Sequence, residues 1–212
     1  MTMTARLQVL LEELRKSLSG KGMGRFPVYS AMLYLSRTKH RGASPETDAT
    51  QDLIERLKAG DQAAIRAGAE ALARHPGLKG FKGVVTAAPR SASGRPSNMV
   101  LANALVRAGA GKRAVDLVER AVAVQSSRMR RRAGGVNAGT GYQEHVRTMA
   151  VKGVPEAAGV LIVDDVFTSG ATLRAAAEVL HQAGYRGPIF GATVAHYRPD
   201  KGASRRGAVF YV

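Results

Sequence analysis

No cysteine occurs in the 212 residues of this chain. Disulfide bridges and thiolate metal centres are therefore excluded, and a reducing cytoplasm is the expected compartment. Tryptophan is also absent, and only 5 Phe and 6 Tyr are present, too few to suggest the stacked aromatic platforms of single-strand nucleic-acid binders. No apolar run approaches the roughly 20 residues that span a bilayer. Met1–Leu18 carries Glu12 and Glu13 and lacks a signal-peptide core, so a soluble protein with no membrane partner is expected. Acidic side chains are scarce, 16 against 32 basic ones, for a formal net charge of +16. Such an excess draws polyanions, either nucleic acid or phosphorylated small molecules, and serves solubility equally well. The five histidines, His40, His75, His145, His181 and His196, show no ligand spacing, so no zinc site is expected.

What is present is length enough for one domain with a sizeable core and a regular alternation of patterns. Leu7, Leu10, Leu11, Leu14 and Leu18 have helical spacing and are followed by a glycine-rich basic linker. Residues 1–25 are therefore set apart as a helix and linker. Val28–Leu35 reads as a strand and Glu46–Lys58 as a helix. Asp61 is placed to cap a second helix that runs to Arg74. Gly83–Ala87 is a short apolar strand, followed by the small basic loop Ala88–Arg95 and a helix from Ser97 or Asn98 to about Arg107. Ala114–Val124 fits strand and helix alike, and Tyr142–Val151 reads as a helix. Ser126–Gly141, with Arg128, Arg130, Arg131 and Arg132, has no apolar period and reads as a mobile loop. Strand Ile189–Ala195 and a last short strand, Ala208–Val212, complete a pattern that from Gly83 onward predicts a parallel α/β sheet.

The most informative stretch is Val160–Thr172, Val-Leu-Ile-Val-Asp-Asp-Val-Phe-Thr-Ser-Gly-Ala-Thr. Its short β-branched run suits a buried parallel strand. Asp164 and Asp165 fall at the strand's carboxyl end, where open α/β sheets hold ligands. Thr168–Thr172 then brings hydroxyls and unencumbered backbone amides to a helix start, an arrangement that captures phosphate. A phosphate site beside two carboxylates suits a ligand with a phosphate at one end and hydroxyls near it, such as a ribose 5-phosphate. An ordinary strand, turn and helix with Asp165 as a mere cap is the plainer alternative.

This stretch resembles the phosphoribosyl-pyrophosphate motif of type I phosphoribosyltransferases. The resemblance implies that family's fold, a Rossmann-like parallel sheet flanked by helices, here over residues 26–212. It also implies a small hood, from roughly 26–80 and the C-terminal tail. It assigns Asp164 and Asp165 to the ribose hydroxyls as the catalytic pair, and Thr168, Ser169, Gly170, Ala171 and Thr172 to the 5-phosphate. It implies a pyrophosphate site, for which Pro89, Arg90 and Ser91 are the candidates. It also implies Mg²⁺, bridging pyrophosphate and ribose with Asp164 or Asp165 acting directly or through water. Arg128, Arg130, Arg131 and Arg132 would close over the leaving pyrophosphate, or else form a solvated or nucleic-acid-binding face. The implied partners are phosphoribosyl pyrophosphate and a nucleobase-like acceptor, with a second copy of the chain and nucleic acid as further candidates. Purine-salvage members place an acid where Thr168 stands, which points away from hypoxanthine and guanine.

Looser echoes are similar to the ComF-type branch, which is associated with competence and DNA uptake. They are Leu57-Lys58-Ala59-Gly60-Asp61, Arg95-Pro96-Ser97-Asn98, Glu119-Arg120, Gln125, Arg131-Arg132 and Asn137. Two features depart from that branch. Its cysteine-rich module is missing, and Arg-Gly-Phe-Asn is Arg-Pro-Ser-Asn here, where Pro96 has no N–H to offer. A non-catalytic, DNA-associated protein that keeps the ribose-phosphate site is the alternative this branch implies.

Overall fold

Successive residues of a strand face opposite sides of a sheet, and Val160–Val163 use both. Val160 and Ile162 enter one core, while Leu161 and Val163 enter the other. A strand buried on both faces belongs in the middle of a layered α/β structure. The computed structural model, which describes residues 25–34, 45–90, 98–122, 141–197 and 208–212, places it there. Strands β1 (Pro27–Tyr34), β2 (Val84–Ala87), β3 (Arg113–Ala114), β6 (Val160–Phe167), β7 (Ile189–Tyr197) and β8 (Ala208–Tyr211) form one sheet in the order β3-β2-β6-β7-β1-β8. All neighbours run parallel except β1 and β8.

Helices α1 (Pro45–Ala59), α2 (Gln62–Ala73) and α3 (Met99–Arg107) cover one face, where Ile54, Leu57, Ile65, Leu72, Leu101 and Leu105 meet Leu161 and Val194. Helix α5 (Ala171–Gln182) covers the other with Leu173, Val179 and Leu180 against Val160 and Ile162. Asp61 caps α2 as its spacing predicts, accepting from the Ala64 N–H at 3.0 Å. His75 closes the following turn by accepting from the Gly77 N–H at 3.1 Å and packs against the Tyr29 ring.

Two segments differ from the sequence reading. Tyr142–Val151 is a helix only as far as Thr148 (α4, Tyr142–Thr148), and Met149–Val151 is strand β5. The Thr148 hydroxyl donates back to the Glu144 carbonyl at 2.7 Å, a bond that competes with the helix ladder. The ambiguous stretch Ala114–Val124 yields the edge strand β3 and strand β4 (Val118–Arg120), which pairs antiparallel with β5 as a separate ribbon. The parallel sheet also reaches back beyond Gly83: β1 pairs with β7, and β8 pairs with β1. The two segments assigned to a hood carry the strands expected of them, and these join the main sheet, β8 at its edge. Among the described residues no helix is long and apolar enough to cross a membrane.

Candidate active site

Strands β2 and β6 are neighbours, yet their connections diverge. β2 leads through α3 to the edge strand β3, whereas β6 leads through α5 to β7 on its other side. Such a divergence opens a crevice at the carboxyl ends of the two strands. Register then decides which residues meet there. Ala87 pairs with Val163, so Ala88–Arg90 lie beside Asp164 and Asp165, and the Ala88 N–H donates to the Val163 carbonyl at 2.8 Å.

The adjacent carboxylates point to opposite faces of the sheet and have different partners. Asp165 Oδ2 lies 3.5 Å from Arg90 Nη2 and 3.9 Å from Lys58 Nζ on α1. Asp164 Oδ1 accepts from Asn98 Nδ2 at 2.9 Å and from the Asp165 N–H at 2.8 Å. Asn98 joins the two halves of the site. Its amide also donates to the Ala88 carbonyl at 3.2 Å, and its Oδ1 accepts from Arg90 Nε at 2.9 Å. Burial pushes the Asp164 carboxyl well above the ordinary carboxylate range, and the Asp165 charge adds to this. The Asp165 N–H, Lys58 and Arg90 oppose that shift.

Beyond β6, Thr168 and Ser169 are exposed and Gly170 is buried. Gly170 has φ of +73°, which turns the chain directly into α5. The Ser169 hydroxyl accepts from the Ala171 N–H at 3.4 Å. First-turn amides of a helix have no partner within it, so Thr168–Thr172 surrounds a helix start that favours an anion.

On the other side of the crevice, Arg120 at the end of β4 supports the Pro89–Arg90 loop. Its Nη2 donates to the Pro89 carbonyl at 3.4 Å and its Nε to the Arg90 carbonyl at 3.3 Å. Its Nη1 donates to Thr148 Oγ1 at 2.6 Å, and Nη2 lies 3.1 Å from His145 Nδ1. Burial lowers the pKa of this guanidinium from its usual value, while the charges of Glu144 and Asp164 oppose the shift.

The structure therefore brings Asp164, Asp165, Pro89 and Arg90 together, with the Thr168–Thr172 loop following directly on the same strand. Ser91, Arg128, Arg130, Arg131 and Arg132 lie outside the described residues. Lys58, Asn98 and Arg120 join the site without having been assigned a role from the sequence. The only signal for them was their place in the looser family echoes. Among the described residues no three His, Asp or Glu side chains converge as a metal cage. Two carboxylates are a hard-oxygen donor set that fits Mg²⁺, which completes its shell with phosphate oxygens and water.

No curated protein matches the chain. The phosphoribosyl transferase domain family, however, matches residues 63–211, from α2 through β8 and so across every site element except Lys58. With most of its length so matched and its sheet flanked by helices on both faces, the chain belongs to the phosphoribosyl transferase domain family.

Proposed function

We propose that this protein binds phosphoribosyl pyrophosphate and transfers the phosphoribosyl group to a ring nitrogen, that of a nucleobase by class, with release of pyrophosphate. The observation that carries this reading is the divergence of β2 and β6. It sets a pair of carboxylates between an anion-favouring helix start and the Arg90 loop. Thr168–Thr172 would take the 5-phosphate, and Asp164 and Asp165 would accept from the ribose hydroxyls. Arg90, with the backbone around it, would take the pyrophosphate. Mg²⁺, held by Asp164 or Asp165 directly or through water, would supply charge neutralisation on the pyrophosphate.

In the reaction, the bond from the anomeric carbon to the pyrophosphate oxygen breaks and its electrons leave with pyrophosphate. The nitrogen lone pair forms the new bond, and the nitrogen's proton is released. The ring passes through an oxocarbenium-like state. The nearby carboxylates favour that positive charge, and Arg90 offsets the charge on the leaving group. Positioning at both ends supplies much of the rest. Thr168 has no carboxylate to offer a purine, which favours another acceptor.

A second reading keeps the ligand site in a ComF-like, DNA-associated protein without turnover, and the net charge of +16 favours it. One set of measurements separates the two. Calorimetric titration with phosphoribosyl pyrophosphate, with and without Mg²⁺, should show binding under either reading. Pyrophosphate release with one of a panel of nucleobases supports the transferase. No release with any base, together with salt-sensitive retardation of single-stranded DNA, supports the second reading, and absence of ligand binding sinks both.

A further inference from the structure

We infer that Arg120 is the positioning residue of the anion loop after β2: one guanidinium grips two consecutive carbonyls and so turns the Arg90 N–H toward the pyrophosphate. The inference rests on the transferase-type ligand site proposed above. It begins with the geometry of the peptide unit. In a planar trans peptide the carbonyl of one residue and the N–H of the next point in opposite directions. Arg120 Nη2 holds the Pro89 carbonyl at 3.4 Å, so the Arg90 N–H is sent to the side away from Arg120. Arg120 Nε holds the Arg90 carbonyl at 3.3 Å, which fixes Arg90 on its other side as well. With the carbonyls on either side of Arg90 held by one guanidinium, the Arg90 N–H is left facing away from it, where an oriented backbone amide can meet an anion.

Two further observations support the assignment. Arg120 is itself anchored from behind, by Thr148 Oγ1 at 2.6 Å and His145 Nδ1 at 3.1 Å, both on α4. The guanidinium is thus fixed by a separate element and can impose an orientation on the loop. In addition, its four hydrogen-bonding contacts among the described residues are neutral: two carbonyls, a hydroxyl and an imidazole nitrogen. Among the described residues no carboxylate touches the half-buried guanidinium, Glu144 and Asp164 acting on it only through space, so its positive field reaches the loop, where an anion benefits. Arg90 is bound differently, its side chain being directed to Asn98 and Asp165. One arginine therefore orders the carboxylate side of the loop and the other its backbone.

The test uses the full chain as wild type, Arg120→Met and Arg120→Lys, titrated separately with inorganic pyrophosphate and with ribose 5-phosphate. Losing two charge-assisted carbonyl contacts should weaken pyrophosphate binding about tenfold or more in Arg120→Met. Ribose 5-phosphate should bind within about twofold of wild type, because its contacts lie on the other side of the crevice. Arg120→Lys keeps the charge but reaches fewer acceptors, and should fall between. Equal weakening toward both ligands would make Arg120 a structural staple only, and unchanged pyrophosphate affinity would remove its role altogether; either overturns the inference. Should Arg120→Met fail to fold, the lysine variant and the wild-type amide spectrum decide. The Arg90 N–H resonance should shift on addition of pyrophosphate and not of ribose 5-phosphate. A resonance that ignores pyrophosphate overturns the inference. Wild-type protein that binds neither ligand overturns the proposed function itself, and this inference with it.

Discussion

Asp164→Asn combined with Asp165→Asn is expected to abolish binding of phosphoribosyl ligands while the fold survives. A hydrogen bond to a charged group contributes about 1.5–3 kcal/mol, and two carboxylates lost from one ligand site should together account for at least about 100-fold in affinity. The amides keep the size of the side chains but lose the charge. They also place an N–H₂ where an acceptor is needed. Calorimetric titration with phosphoribosyl pyrophosphate checks the loss, and far-UV circular dichroism checks the fold. Unchanged binding by the double variant would remove the carboxylates from the site.

The two single variants should differ in stability, because the environments of the carboxylates differ. Asp165 faces Lys58 and Arg90, so Asp165→Asn leaves two cations without their shared partner and should lower Tm. Asp164 has its pKa raised, chiefly by burial and then by Asp165. A carboxyl raised in the folded state contributes stability that is full below its unfolded pKa and is lost as pH rises through the folded one. Near neutral pH the ionised Asp164 therefore works against folding. Asp164→Asn should hold or raise Tm there, and flatten the decline of Tm from acid toward neutral pH. A Tm that falls with Asp164→Asn by as much as with Asp165→Asn would contradict this. The carboxylate that costs the empty protein stability is, on this reading, kept for its ligand.

Local chemistry explains which parts of this arrangement could be read from the chain. The apolar run Val160–Val163, the acid pair and Gly170 are contiguous, so strand, ligand edge and helix start were all legible. Asp61 was legible for the same reason, since a cap lies next to the helix it closes. Asn98 was readable only as a helix start. Its bond to Asp164 crosses 66 residues, and no periodicity encodes a partner at that distance. Moreover, it makes no side-chain cap to α3; its Oδ1, the atom that would cap, accepts from Arg90 Nε instead. Lys58 looked like the basic end of an ordinary helix until the sheet order brought α1 over the ends of the strands. The short strands β3, β4 and β5, of two or three residues, are too brief to show an alternation. Their pairing fixes them, and pairing is a tertiary property.

Gly170→Ala should damage both the fold and the phosphate loop. At φ of +73° an L-residue meets a steric cost of about 1–2 kcal/mol. Crowding adds to it. A Cβ there would lie 2.3 Å from Val212 Cγ1 and 2.8 Å from Phe167 Cε2. Overpacking of this kind costs about 1–3 kcal/mol more. Gly184→Ala separates the two contributions, since Gly184 has φ of +105° and nothing within 4 Å of the added carbon. Gly184→Ala should therefore show the backbone cost alone, and Gly170→Ala roughly twice that or more in thermal or urea unfolding. Equal losses would mean that Val212 yields freely and that crowding is no factor. Ribose 5-phosphate affinity should fall about tenfold or more with Gly170→Ala, because oriented amides at a helix start are what hold the anion. It should be untouched with Gly184→Ala, at the far end of α5. Adding Val212→Ala to Gly170→Ala removes the atom at 2.3 Å but leaves φ unchanged. If that pairing restores stability without restoring affinity, backbone orientation governs phosphate capture. If it restores both, the contact between Val212 and the loop sets the orientation of the amides.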